Sequence, residues 1–182
     1  NSGQFAGAIA VGESAGQTQQ GPQAVSIGFN SGNTNQLQYA VAIVRNSGYN
    51  TQGDSAVAIG LESGKYYQNT YAVAVGPYAG YTGQGINSVA MGGNAAFNSQ
   101  GNYAVAIGNS AGYTGQGDCA IAIGTQAGYN QQVANSIILN ASGSILDAPN
   151  SGFYVDPVRP DVTNTANTVY YNTTTKELTY TT

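Results

Sequence analysis

Residues 104–119 read AVAIGNSAGYTGQGDC, and residues 72–87 read AVAVGPYAGYTGQGIN, a match without insertion or deletion. Steps of 16 residues recover the same unit along most of the chain. Its strand-like core recurs as AIAVG from Ala8, AVSIG from Ala24, AVAIV from Ala40, AVAIG from Ala56 and AVAVG from Ala72. It continues as SVAMG from Ser88, AVAIG from Ala104, AIAIG from Ala120 and SIILN from Ser136. A fixed short period is the signature of a solenoid, whose repeats bury their surfaces by stacking on one another. A unit of 16 residues is too short for a helix pair and long enough for two short strands and two corners. The sequence therefore predicts an all-β fold, a β-solenoid (β-roll) of 16-residue coils. With coils rising by about 4.8 Å, equivalent residues become ladders along the axis.

Within each unit apolar β-formers alternate with small residues, so that Val57 and Ile59 point one way and Ala56 and Ala58 the other. The Val/Ile pair is expected to fill a thin core. The Ala-x-Ala face is expected to be the flat outer surface on which another chain packs. Gly60, Gly76 and Gly108 close strands at one corner, and Ala79-Gly80, Ala111-Gly112 and Ala127-Gly128 mark the other. Next comes a mostly aromatic column, Tyr49, Tyr81, Phe97, Tyr113 and Tyr129, interrupted by Asn33 and Lys65. Such a column either packs on itself, since stacked rings cover a large area, or forms a surface ladder for carbohydrate.

The strictest column is Gln4, Gln20, Gln36, Gln52, Gln68, Gln84, Gln100, Gln116 and Gln132. A surface position would drift to other polar residues. One reading is a buried or interfacial ladder of side-chain amides bonded along the axis, which supplies the partners a buried amide needs. The other is capping of backbone groups at a corner.

Only 7% of the residues are charged, against roughly 25% in an ordinary domain, so the surface is polar but nearly neutral. The cations Arg45, Lys65, Arg159 and Lys176 are scattered, and no basic stripe exists to neutralise phosphates; nucleic acid is not an expected partner. No apolar run approaches the roughly 18 residues of a membrane span, so membrane insertion is not expected either. The chain has no His to serve a Ser or Cys nucleophile, and its one cysteine, Cys119, excludes an intrachain disulfide. In the repeat frame Asp54 and Asp118 lie about 19 Å apart, and Glu13 and Glu62 are three coils apart, too far for a carboxylate dyad. Neither a calcium-repeat motif nor a phosphate loop occurs. No catalytic residue, metal or cofactor is expected, and the chain does not read as an enzyme. Asn140 and Asn172 head glycosylation triplets.

The segments NSVAMG (87–92) and AVAIGNSAG (104–112) resemble the head repeats of trimeric autotransporter adhesins. The resemblance covers roughly residues 4–147 and implies left-handed β-rolls arranged as trimers. The period is slightly longer than is usual there, and the Gln column is a departure. A second resemblance lies in the tail. SGFYVDPVRP (151–160) and TVYYNTTTKELTYTT (168–182) are similar to a module of large algal virus and phage fibre proteins. In those fibres the module precedes an endosialidase-type intramolecular chaperone that assembles the trimer and cleaves itself off. Thr182 is then either a processed C-terminus or an arbitrary boundary, and any self-cleavage would reside in that further domain.

The organisation expected is a β-solenoid repeat domain over residues 1–149 and a C-terminal β-hairpin cap or linker module over 150–182, the whole forming a parallel homotrimer. The function expected is that of a structural or adhesive fibre segment. It would sit on a virion or phage surface, or otherwise outside the cell, and attach to a host glycan or protein receptor. The head of a bacterial trimeric surface adhesin is the alternative, and an ice-binding solenoid a further one.

Overall fold

The computed structural model describes residues 3–158 and 169–180, and these contain strands and turns with no helix. Two parallel sheets run the length of the repeat, a front sheet of ten strands and a back sheet of seven. The front sheet begins at Ile9–Val11 and passes through Val57–Ile59 and Ile121–Ile123 to Ser136–Asn140 and Gly152–Asp156. The back sheet runs from Thr18–Gln20 to Thr114–Gln116. The register is constant: Val57 pairs with Val73, Ala58 with Ala74, and Gln52 with Gln68, always 16 residues on. The chain is thus a β-solenoid of 16-residue coils. That register continues into the tail, where Ser136 pairs with Gly152 and Asn140 with Asp156. Separately, Val169–Tyr171 and Leu178–Tyr180 form an antiparallel hairpin. Arg159 and Thr182 lie outside the described residues.

Corners are paired as thoroughly as strands, which a backbone withdrawn from water requires. Gly28 N donates to Val11 O, Asn30 N to Glu13 O, and Tyr39 N to Pro22 O, so coils stay bonded through both bends. The bends use left-handed backbone at recurring positions. In one coil these are Gly60 (φ 131), Glu62 (φ 55), Gly64 (φ 51), Tyr67 (φ 56) and Tyr71 (φ 60). At the Gly60 column a Cβ would sit 2.7 Å from the backbone of Gly76 in the next coil, so a side chain is excluded twice over. Val44 occupies that column in its own coil, at φ 87, where a branched side chain is strained.

The interior reverses the expected faces. Ala56, Ala58, Ala72 and Ala74 are fully buried, joined by Ser63 and Ala79 from the opposite bend and by Gln52, Gln68 and Gln84. The Val/Ile pair points outward: Val57 and Ile59 are half-exposed, and Ile27, Met91, Ile107 and Ile123 are exposed. The reason is room. Two three-residue strands joined by tight bends bring the sheets so close that facing methyl groups and one Gln per coil fill the gap. A facing pair of branched side chains would overpack it. Near the end the interior broadens, as the column steps from Ala122 to Ile138 to Tyr154. Ile138 is fully buried there, with Leu146 and Tyr154 packed against the same cluster.

Candidate functional site

The glutamine column forms a line of amides inside the tube. Gln36 Nε2 donates to Gln52 Oε1, Gln52 to Gln68 and Gln68 to Gln84, each at 3.1 Å. A second run joins Gln100 to Gln116 and Gln116 to Gln132 at the same spacing. The same nitrogens also reach front-strand carbonyls, so that Gln52 Nε2 lies 2.8 Å from Val41 O and 3.2 Å from Ala56 O. Coil-to-coil bonding and backbone capping therefore belong to one side chain. This ties the two sheets together across the tube.

Two local substitutions interrupt the line. Ser26 stands where most coils have Ala, and its hydroxyl donates to Gln36 Oε1 at 2.7 Å; Gln20 Oε1 is left without a partner. Ala96 stands where the other coils have Gly. At Gly80 a Cβ would lie 2.6 Å from Gln84 Oε1, so the Ala96 Cβ takes space that the amide uses elsewhere. Gln100 Oε1 is accordingly buried without a partner, and the two runs do not meet. Gln4 is exposed and bridges Gln20 through its backbone.

The aromatic column lies at the bend leading into the back sheet. Tyr81, Phe97, Tyr113 and Tyr129 stack with centroids 4.8, 5.1 and 4.8 Å apart and planes within 9° of parallel. Ring faces within the stack cover each other, leaving mainly edges and hydroxyls to solvent. Tyr49 stands apart from the stack. Between it and Tyr81, Tyr66 steps in edge-on to both, at 6.4 and 5.6 Å. The Lys65 ammonium lies 5.1 and 5.3 Å from the Tyr66 and Tyr81 rings and 3.0 Å from Glu62 Oε2. Burial opposes the charge on Glu62, but hydrogen bonds from Lys65 and Asn46 and the pull of Lys65 and Arg45 outweigh it and hold the carboxyl below its ordinary range. Burial likewise opposes the Lys65 charge, and the bond to Glu62 overrides it, raising the ammonium's pKa.

Among the described residues, the outer side of the front sheet is unpartnered over most of its length. Each of its strands presents two apolar side chains, from Ile9 and Val11 through Val89 and Met91 to Phe153 and Val155. The strip crosses ten strands without a charged residue. Among the described residues, the hairpin approaches its far end: a cleft of about 660 Å³ separates Ile137 and Phe153 from Tyr171, Lys176 and Leu178. Its existence was hidden in the sequence by the assignment of the Val/Ile pair to the core. A signal for it was present. The inward columns are restricted to Ala and Ser over most of their length, whereas the outer column wanders through Val, Ile, Met and Leu.

The remaining candidates are dispersed. Among the described residues no three His, Cys, Asp or Glu side chains come together. Cys119 is exposed at a bend, at φ 57. Asn140 is 5% exposed, with its amide donating to Thr125 O and Ser144 O and accepting from Ser142, so glycosylation there would break a buried network. Asn172 is exposed at the hairpin turn, where its side chain accepts from the N–H groups of Thr174 and Thr175.

Fold and surface define the class: this is a β-solenoid repeat protein with an apolar outer strip and a glutamine-lined interior. No family model, curated protein or solved structure matches the chain.

Proposed function

We propose that the chain is a structural segment of a trimeric fibre that projects from a virion or phage particle and meets the host surface. The carrying observation is the outer strip, two apolar side chains wide over ten strands. Its exposed apolar area is on the order of 1,000 Å², above the roughly 300–600 Å² of the largest patch on a typical monomer. Further copies of the chain are the occupant that suits it, because a second strip matches the first in length, rise and chemistry. A threefold bundle suits its width, since each of the two columns then faces a different neighbour around a common axis. The sparse charge and the bonded coils suit a rigid rod with a neutral polar exterior. The tail's resemblance to virus-fibre modules supports the location on a particle, and attachment to a glycan or protein receptor follows from that position.

Native mass measurement tests the association: three chains per particle are expected, and a single-chain mass overturns it. Binding of the purified assembly to host cells tests the attachment role. Saturable binding that excess assembly competes away is expected, and no binding leaves no attachment function for this segment.

A further inference from the structure

The outer strip has two unlike edges. One is formed by residues just after each front strand, including Phe29, Arg45 and Leu61. The other is formed by residues just before each strand, including Tyr39, Asp54 and Tyr71. Arg45 is exposed on the first edge, two residues after Val41–Ile43. Asp54 is half-exposed on the second edge, three residues before Val57–Ile59, one coil further along. Among the described residues the one ion pair is Lys65–Glu62, so neither Arg45 nor Asp54 has a salt-bridge partner there. The equivalent aspartate in another coil behaves differently: Asp118 Oδ1 accepts from Asn102 N at 2.7 Å and is committed within its own chain. The Asp54 carboxylate makes no such bond among the described residues. Tyr39, on the same coil as Arg45 but on the opposite edge, is 50% exposed.

Symmetry decides what these edges meet. Rotation about an axis parallel to the solenoid brings the first edge of one copy against the second edge of the next. A two-fold axis across the solenoid instead sets each edge against its own kind and reverses the order of the coils. Only the parallel arrangement, with coils level, places Arg45 beside Tyr39 at the same height and beside Asp54 about 4.8 Å away along the axis, within reach of a long side chain.

We infer that copies of this chain associate in parallel and in register, with Arg45 of one copy seated against Tyr39 and Asp54 of the next. The inference rests on the self-association proposed above, whose common axis already makes the copies parallel and level, and adds the residues that meet across it and hold that register. The guanidinium, which in its own chain feels Glu62 only at longer range than a salt bridge, gains a carboxylate and an aromatic face, and any other register leaves Asp54 at the border of an apolar contact.

Charge exchange tests it. Native mass and the dissociation midpoint on dilution are compared at low ionic strength for the wild type, Arg45→Asp, Asp54→Arg and the double exchange, with circular dichroism to confirm folding. Each single reversal is expected to weaken association about tenfold, and the double variant to recover to within about twofold. Added salt is expected to shrink the differences. Single reversals without effect, or a double variant no better than the singles, overturn the pair while leaving an intact assembly and therefore the proposed association. A wild-type chain that is monomeric throughout overturns both.

Discussion

Ala58 and Ile59 are neighbours on one strand, and their environments differ more than their places in the sequence suggest. Ala58 is fully buried between the sheets, and Ile59, the larger apolar residue, is left half-exposed. The usual correlation between size, hydrophobicity and burial is inverted because the tube is too narrow for anything but small side chains and a flat amide. Stability of a coil then rests on backbone pairing and the Gln line more than on apolar bulk. The apolar bulk is displaced to the outside, where it is available for association.

The contrast is broken most severely from the inside. Ala74→Leu puts three extra carbons where a methyl already touches the facing bend, and is expected to destabilise the fold by about 3 kcal/mol. Val75→Thr, on the outer side of the same strand, is expected to change the stability of a single chain by less than about 1 kcal/mol while weakening the assembly. Thermal unfolding by circular dichroism, read beside native mass, separates the two. Equal losses of stability would mean that the faces are not as unlike as their exposures.

The Gln line comes next. Gln52→Leu keeps most of the volume but removes the contacts to Val41 O and Ala56 O, leaves Gln68 Oε1 without its donor, and takes from Gln36 Nε2 one of its three acceptors. A loss of about 2–3 kcal/mol is expected, seen as a lower melting temperature. A neutral result would show that apolar filling serves the interior as well as the amide does.

Period, strand positions and bends were legible because each depends on local chemistry repeated in phase. The glycine at the Gly60 column, the alternation in AVAIG and the invariance of Gln all follow from backbone geometry that one coil imposes on the next. The direction of the alternation was not legible by rank of hydrophobicity. That ranking presumes a core wide enough for Val and Ile, and tube width depends on how two sheets meet across a gap that no local pattern encodes. The column's tolerance was the better guide: as far as Ala122 the inside is held to Ala and Ser, while Met91 is admitted outside within the same stretch. Left-handed bends at Glu62, Tyr67 and Tyr71 were also missed; their trace was Asn and Ser in the same columns elsewhere, with Gly83 and Gly115 in the Tyr67 column and Gly7 in the Tyr71 column.

Two coils depart from the rule and can be repaired. Ala96→Gly is expected to relieve a left-handed backbone (φ 48) and free space for Gln100, joining the two amide runs. The gain expected is about 1 kcal/mol, since the added freedom of the unfolded chain offsets part of it. Val44→Gly is expected to gain a similar or smaller amount. Both raise the melting temperature; a fall in the Ala96→Gly variant would show that Gln100 is displaced for another reason.

The smallest effect is expected outside the tube, at the Glu62–Lys65 pair on the tyrosine bend. Because the Glu62 carboxyl is held below its ordinary value of 4.5, its contribution is fully present above that value and is lost as pH falls through the lower folded-state value. Lys65 is raised above its ordinary value of 10.5, so its contribution is present below that value and fades only in stronger base. Between these limits Glu62→Gln is expected to lower the melting temperature by about 1–2 °C, and the deficit should close in acid as the wild-type carboxyl protonates. A deficit that persists unchanged into strong acid would assign the effect to the neutral bond with Asn46 and leave the ammonium held by the rings of Tyr66 and Tyr81.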